Sequence, residues 1–295
     1  MSKRALLLIN RHSRRGEKSL PLAVEYFYAH DLELIIKPVK SSQELSTVVR
    51  EYRNYVDCVI VGGGDGTLNA VVDSVVEADL PLGILPLGTA NDLARTLNIP
   101  ISMKGACDVI ANGSLKSIDL GWVNGKHFFN VASIGLSVDI TNKLTRCLKK
   151  RWGVLAYGIT AIQVLSQTRR LNATIKIDQE HLPVNTIQIA IGNGKYYGGG
   201  MAIANDAAID DQRLDLYSIE LQYWWQIFPL LWHLPQGQHN HLQWVRTIEG
   251  KEIEIHTHKS HDINTDGEIT TITPAKFKVI PHALKVFVPT QVMES

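Results

Sequence analysis

Residues 59–72 read VIVGGGDGTLNAVV, and this stretch decides the fold. A β-branched apolar run, Val59 to Val61, feeds a glycine-rich turn, and an amphipathic stretch follows from Thr67. Strand, glycine turn and helix together bring backbone N–H groups and a helix N-terminus onto one anion. Glycine lets the backbone approach a phosphate that side chains would otherwise hold off. A bare carboxylate there would repel the phosphate, so Asp65 calls for a divalent cation between the two. The Gly-Gly-Asp-Gly-Thr pattern therefore points to a nucleotide with Mg²⁺.

Working outward, the first third alternates strand and helix signals. Residues 5–9, 32–39, 58–61 and 82–87 read as strands, and residues 20–30, 43–55, 69–76 and 90–97 as helices. Such alternation predicts a parallel sheet with helices on both faces and ligands gathered at the strand C-termini. From about Ile118 the pattern changes to short alternating runs at 128–132, 173–177, 186–191, 214–219, 252–256 and 277–280. These predict antiparallel strands, interrupted by helical stretches around 153–168 and 222–234. The expected fold is α/β plus β: a doubly wound parallel-sheet domain over 1–120, then an antiparallel β-sandwich-like domain over 121–281. The tail, about 282–295, is expected to pack back on the first domain.

The chain totals limit the function classes. With 295 residues, 45% hydrophobic and 20% charged, the chain suits two globular domains rather than disorder. A net charge of +1 lacks the basic excess of a nucleic-acid binder. Three cysteines, Cys58, Cys107 and Cys147, offer neither a disulfide framework nor zinc spacing, which fits a reducing cytoplasm. The apolar run after Met1 is too short for a signal-peptide core and reads as a first strand. No apolar run reaches spanning length, so membrane contact is expected to be peripheral.

A second strand–turn–helix unit is LGILPLGTANDLARTL, residues 82–97. Thr89 or Asn91 can cap the helix through a side-chain oxygen, and a plain capped helix is the simple alternative. Next to residues 64–67, this unit instead gives two neighbouring strand ends that offer hydroxyls and N–H groups to one crevice, as a triphosphate requires. A third turn, residues 10–14, follows strand one on the same sheet edge. Asn10 and Ser13 there can bind phosphate, and Arg11, Arg14 and Arg15 add positive charge; a solvated basic loop is the alternative. Asp119 falls at the domain crossing, where it either orders the cleft by charge pairing or serves as a turn residue.

In this combination the chain resembles the diacylglycerol kinase catalytic-domain family, close to its bacterial lipid-kinase branch. The resemblance rests on GGGDGT (62–67) with Asn69, PLGTANDLA (86–94), Asn193-Gly194 with the glycines at 198–200, AIDDQRLDL (208–216) and NTDGE (264–268). It implies ATP-dependent transfer of the γ-phosphate to a lipid hydroxyl. By motif match, Asn10, Ser13, Gly63, Gly64, Asp65, Gly66, Thr67, Leu68, Asn69 and Thr89 would hold the nucleotide, with Asp65 also acting through Mg²⁺. Glu268 matches the proton acceptor and Asp266 its acidic partner, with either carboxylate able to take the proton on sequence grounds, although residues 265–267 also read as an ordinary Asp-Gly turn. Residues 205–211 resemble a second cation site, matched by the Asp211 side chain and the Ala208 and Arg213 carbonyls. Here the chain departs from the family, with Gln212 and Arg213 replacing a glycine and an apolar residue. The N-terminal turn departs too, carrying Arg11 for a proline and Arg14 for a glycine.

A kinase acting on lipid must reach a bilayer surface. Lys143, Arg146, Lys149, Lys150 and Arg151 form a basic cluster suited to anionic headgroups, and the run from Tyr223, Trp224 and Trp225 to Trp232 has interfacial composition. A solvated face and a buried helix are the respective alternatives. Diacylglycerol, phosphatidylglycerol and sphingoid bases all fit as acceptors, and a second copy of the chain is a candidate partner. Two rival functions remain: an NAD-kinase-like enzyme acting on a soluble substrate, and a non-catalytic ATP-sensing module.

Overall fold

The computed structural model describes residues 3–10, 16–39, 42–136, 138, 170–194, 196–197, 201–202, 208–221, 223, 226 and 242–290. Several expectations lie outside these residues: Ser13 with its neighbouring arginines, the 143–151 basic cluster, the 153–168 helix, Trp224, Trp225 and Trp232, and residues 198–200, 205–207 and 291–295.

The first part alternates β1 (Lys3–Asn10), α1 (Gly16–Tyr28), β2 (Leu32–Val39), α2 (Ser42–Tyr52), β3 (Cys58–Gly63), α3 (Asp65–Ala78), β4 (Leu82–Pro86), α4 (Asp92–Thr96) and α5 (Met103–Asn112). The strands pair in parallel in the order β2-β1-β3-β4. β3 and β4 are buried at every residue, as strands covered by helices on both faces must be. Helix α5 has no counterpart in the periodicity reading. Ser102 starts it, its Oγ accepting from Gly105 N at 3.2 Å, and Ala106, Cys107, Val109 and Ile110 turn inward.

The second part begins with β5 (Ser114–Val123), β6 (Lys126–Phe128) and β7 (Val131–Gly135). It continues through β8 (Leu171–Ile177), β9 (Glu180–Thr186), β10 (Gln188–Gly192), β11 (Tyr196–Tyr197), β12 (Met201–Ala202) and β13 (Leu214–Ile219). The last strands are β14 (Val245–Gly250), β15 (Glu252–Thr257), β16 (Asp262–Thr265), β17 (Glu268–Ile272) and β18 (Ala275–Val288). One antiparallel sheet runs β14-β13-β10-β7-β16-β17. It packs against β18, β15, β8 and β5 through a shared core that includes Ile134, Ile191 and Leu216 on one side and Ile175, Ile255 and Phe277 on the other. The fold is therefore the expected α/β half followed by an antiparallel β-sandwich-like half.

Three details differ from the periodicity reading. The run 128–132 is not one strand: β6 ends at Phe128 and β7 begins at Val131. The run 186–191 likewise breaks at Ile187, between β9 and β10. The run at 277–280 is part of a 14-residue strand that continues past Pro281 and His282 to pair Val286 with Leu82 of β4. Its partner β5 runs straight through residue 120, so both connections between the halves are strands of one sheet.

The thiols of Cys58 and Cys107 are buried, and burial pushes each up to about 12. Neither is a nucleophile in the folded chain.

Candidate active site

β3 delivers its chain into Gly64, the extended N-cap of α3. The first helical acceptor, Gly64 O, takes the amides of Thr67 at 2.9 Å and Leu68 at 3.1 Å. The amides of Asp65 and Gly66 come before any intrahelical acceptor and belong to the anion-binding end of the helix. Two glycines are required here by space. A Cβ on Gly63 would lie 2.5 Å from the Thr67 side chain, and one on Gly88 would lie 2.5 Å from Gly64 Cα. The two strand–helix loops therefore touch backbone to backbone.

Asp65 joins them further, its Oδ1 accepting from Leu93 N of α4 at 3.2 Å. Asn91 shapes the second loop: its Oδ1 accepts from Gly88 N at 2.9 Å, and its Nδ2 donates to Gly88 O at 3.1 Å. Asn91 thus locks the turn rather than capping α4 through its side chain, while Thr89 is exposed on that turn. Asn10 ends β1 one residue beyond the Ile9–Gly62 register pair, on the same sheet edge. Leu68 is 2% exposed and turns into the core, so its side chain does not face the loop.

The β half reaches this loop through the β16–β17 hairpin. Asp266 and Gly267 both have positive φ, 49° and 97°, and Thr265 pairs with Glu268 across them. That is the two-residue turn favoured by Asp-Gly. Asn264 Oδ1 accepts from Gly267 N at 2.8 Å. The Asp266 side chain is fully engaged. Its Oδ2 accepts from Phe129 N at 2.7 Å and Asn69 Nδ2 at 3.1 Å, and its Oδ1 from Asn130 N at 2.9 Å and Val131 N at 3.1 Å. Burial pushes this carboxyl upward in pKa, while these donors pull the other way by favouring the charged form. Glu268, by contrast, is exposed. Its carboxylate lies against the first turn of α3: a Cβ placed on Gly66 would be 3.2 Å from Glu268 Oε1.

The hairpin's socket is the break at Phe129–Asn130 that separates β6 from β7. Asn193 secures it from the far side, donating Nδ2 to Phe129 O at 2.8 Å and Asp119 O at 3.0 Å. Asn193 N and Gly194 N donate to Asn130 O at 2.8 and 3.2 Å. Asp119, 1% exposed, accepts from Gln212 N and His282 N, both at 2.7 Å. It fastens the 208–213 loop and the β18 kink to the crossing through backbone amides. On α3, Asp73 Oδ1 accepts from His127 N at 3.1 Å and meets His127 Nδ1 at 2.8 Å, while Lys126 Nζ is 3.3 Å from Asp73 Oδ2. Burial raises the Asp73 carboxyl, but His127 and Lys126 outweigh it and hold the carboxyl below its usual range.

Periodicity missed Phe129, Asn130 and Val131, whose amides form the Asp266 socket. A Phe-Phe-Asn sequence inside an apparent strand was the available signal.

The residues matched to a second cation site do not suit one. Asp211 accepts from Ala208 N at 3.1 Å and Arg213 N at 3.3 Å, and Arg213 Nε lies 3.2 Å from Asp211 Oδ2. A guanidinium at that distance repels the ion the loop was expected to hold. The first cation fits better: a Mg²⁺ that travels with phosphates needs one or two carboxylates, and half-buried Asp65 supplies one at the loop.

Comparison with known proteins places this geometry. The family described as diacylglycerol kinase catalytic domain matches residues 4–123, and the one described as YegS C-terminal NAD kinase beta sandwich-like domain matches residues 130–288. A diacylglycerol kinase of Staphylococcus aureus strain JH9 is 28% identical over 308 residues, covering 99% of this chain and 95% of its own. A Staphylococcus haemolyticus protein named as a lipid kinase is 30% identical over 240 residues, 80% of this chain and 78% of its own. A Bacillus anthracis strain Sterne structure, named as a diacylglycerol kinase, superposes with a TM-score of 0.83 at 25% identity, over 99% of each chain.

Proposed function

Because the chain belongs to the diacylglycerol kinase catalytic-domain family, we propose that it transfers the γ-phosphate of ATP to a lipid hydroxyl in the crevice between its two halves. The observation that carries this reading is the Glu268 carboxylate against Gly66. It supports the reading because an exposed carboxylate of the β half lies beside a helix N-terminus, the kind of end that favours phosphate.

Phosphoryl transfer is mostly positioning and charge neutralisation. The 63–67 loop and the 88–91 turn supply amides and the Thr67 and Thr89 hydroxyls, and Asn10 ends β1 on the same sheet edge. Asp65 would hold Mg²⁺, which when bound neutralises charge on the phosphates. Glu268 accepts the proton of the attacking hydroxyl at its carboxylate, a role that requires the reacting oxygen to bind within its hydrogen-bond reach. Asp266 has a different role: with four donors on its two oxygens, it positions the hairpin and leaves the proton to Glu268.

The acceptor is diacylglycerol, phosphatidylglycerol or a sphingoid base, reached from the cytoplasmic membrane surface. Among the described residues no helix is long and apolar enough to cross a membrane, which is compatible with peripheral contact. One observation favours a second reading: the β half matches a family described by its likeness to the NAD kinase beta sandwich, and an NAD kinase's acceptor would be a soluble ribose hydroxyl.

The test is the full-length chain with γ-labelled ATP and Mg²⁺, offered vesicles carrying each of the three lipids or NAD in solution. Label in a lipid supports the proposal. Label in NAD alone overturns it in favour of the second reading. Nucleotide binding with no labelled acceptor would favour an ATP-sensing module.

A further inference from the structure

We propose that the Arg213 guanidinium takes the place of a structural cation in the 208–215 loop, so that this loop folds without a divalent ion. The inference goes beyond the kinase reading and does not depend on it. Arg213 Nε lies 3.2 Å from Asp211 Oδ2 and 3.5 Å from Asp215 Oδ1, and its Nη1 lies 3.0 Å from Glu249 Oε2. Three carboxylates from three places in the chain converge on one guanidinium.

The strand register shows why a positive charge is needed there. Asp215 of β13 stands directly opposite Glu249 of β14, and like charges facing each other across an antiparallel pair destabilise it. Asp211 adds a third carboxylate from the loop that leads into β13. The Asp215 side chain is 11% exposed and that of Asp211 is 23% exposed, so water screens these two incompletely, while Glu249 on the rim is exposed. Arg213 Nη1 donates a hydrogen bond to Glu249 at 3.0 Å, while Nε, which makes no hydrogen bond, attracts Asp211 and Asp215 by its charge.

The backbone of the loop is arranged for this. Asp211 Oδ2 accepts from Ala208 N and Oδ1 from Arg213 N, curling the loop around its own carboxylate. Gln212 sits at φ 60° with its amide bound by Asp119, which turns the chain so that Arg213 enters β13 beside Asp211. A hard cation would compete with these amides for Asp211 oxygens and would lie within a few ångströms of the guanidinium. The loop is thus tied to Asp119, and through it to the crossing between the halves, by an internal charge.

The test uses the full-length chain without nucleotide, followed by thermal unfolding and titration calorimetry with Ca²⁺ and Mg²⁺. The wild type should show the same Tm in chelator and in millimolar Ca²⁺ or Mg²⁺, and no one-site binding that Asp211→Asn removes. Arg213→Leu should melt lower in chelator, by about 3 °C or more. It should regain stability with Ca²⁺ and gain a binding site that is lost again when Asp211→Asn is added. Arg213→Gln gives the same readout if leucine prevents folding. One-site binding by the wild type that Asp211→Asn removes would overturn the proposal. So would arginine variants that gain neither binding nor Ca²⁺-dependent stability.

Discussion

Asn69 and Asp266 lie 197 positions apart in the chain and meet in one hydrogen bond of 3.1 Å, Asn69 Nδ2 donating to Asp266 Oδ2. The bond joins the second turn of α3, in the α/β half, to the hairpin that carries Glu268. The position of Glu268, the proposed base, relative to the N-terminus of α3 is therefore tied to the Asp266 carboxylate.

Removing that carboxylate should cost stability first. Asp266→Ala strands the amides of Phe129, Asn130 and Val131, and the expected loss is about 3 kcal/mol or more. Asn69→Ala removes one bond and leaves Asp266 three others, so about 1 kcal/mol is expected. Urea unfolding of the two variants measures both. Equal losses would mean that the socket amides find other partners.

Gly88→Ala should damage nucleotide binding without unfolding the chain. Its Cβ would press on Gly64 Cα at 2.5 Å, a backbone contact that no rotamer relieves. Separating the loops at an overpacking cost of about 1–3 kcal/mol should weaken ATP binding about tenfold or more. Calorimetric titration of ATP with Mg²⁺ into the folded variant checks this; unchanged affinity would place the phosphates elsewhere.

The Asp73 cluster gives a pH signature. Its carboxyl is held below the usual range in the folded chain. The stability it adds is therefore complete above the unfolded carboxylate value, near 4, and is lost as pH falls through the lower folded value. Around it stand Lys126 and His127, with Glu77 and Arg50 paired nearby on α3 and α2. The stability gap between wild type and Asp73→Asn should be open at about pH 5 and close below about pH 4. Unfolding curves across that range measure it, and a gap that widened on acidification would reverse the assignment.

The sequence showed some of this site and hid the rest for physical reasons. The β3 run is apolar at every position because both its faces are covered, and the glycine turn after it is a local signal. The Asp-Gly turn at 266–267 was equally local, and its positive φ values are what that pair favours. The socket for Asp266 was not legible, because Phe129, Asn130 and Val131 continue an apparent strand pattern and their partner lies more than a hundred residues away. β18 was cut short at 280 in the reading because Pro281 and His282 interrupt its alternation, where the register with β5 shifts between Ile280 and Leu284. Arg213 stood out as a departure from the family pattern, but the carboxylates it meets on β13 and β14 appear only once those strands are paired.

The most direct measurement of the central claim is single-turnover phosphate transfer to a lipid acceptor by Glu268→Gln, alongside its ATP affinity. Glu268 is exposed and unlike Asp266 holds no socket, so the variant should fold and bind ATP as the wild type does. Its transfer rate should fall by a factor on the order of 10² to 10⁴, the usual worth of a positioned base. Transfer at the wild-type rate would contradict the account, as would a lost ATP affinity that explained the whole defect.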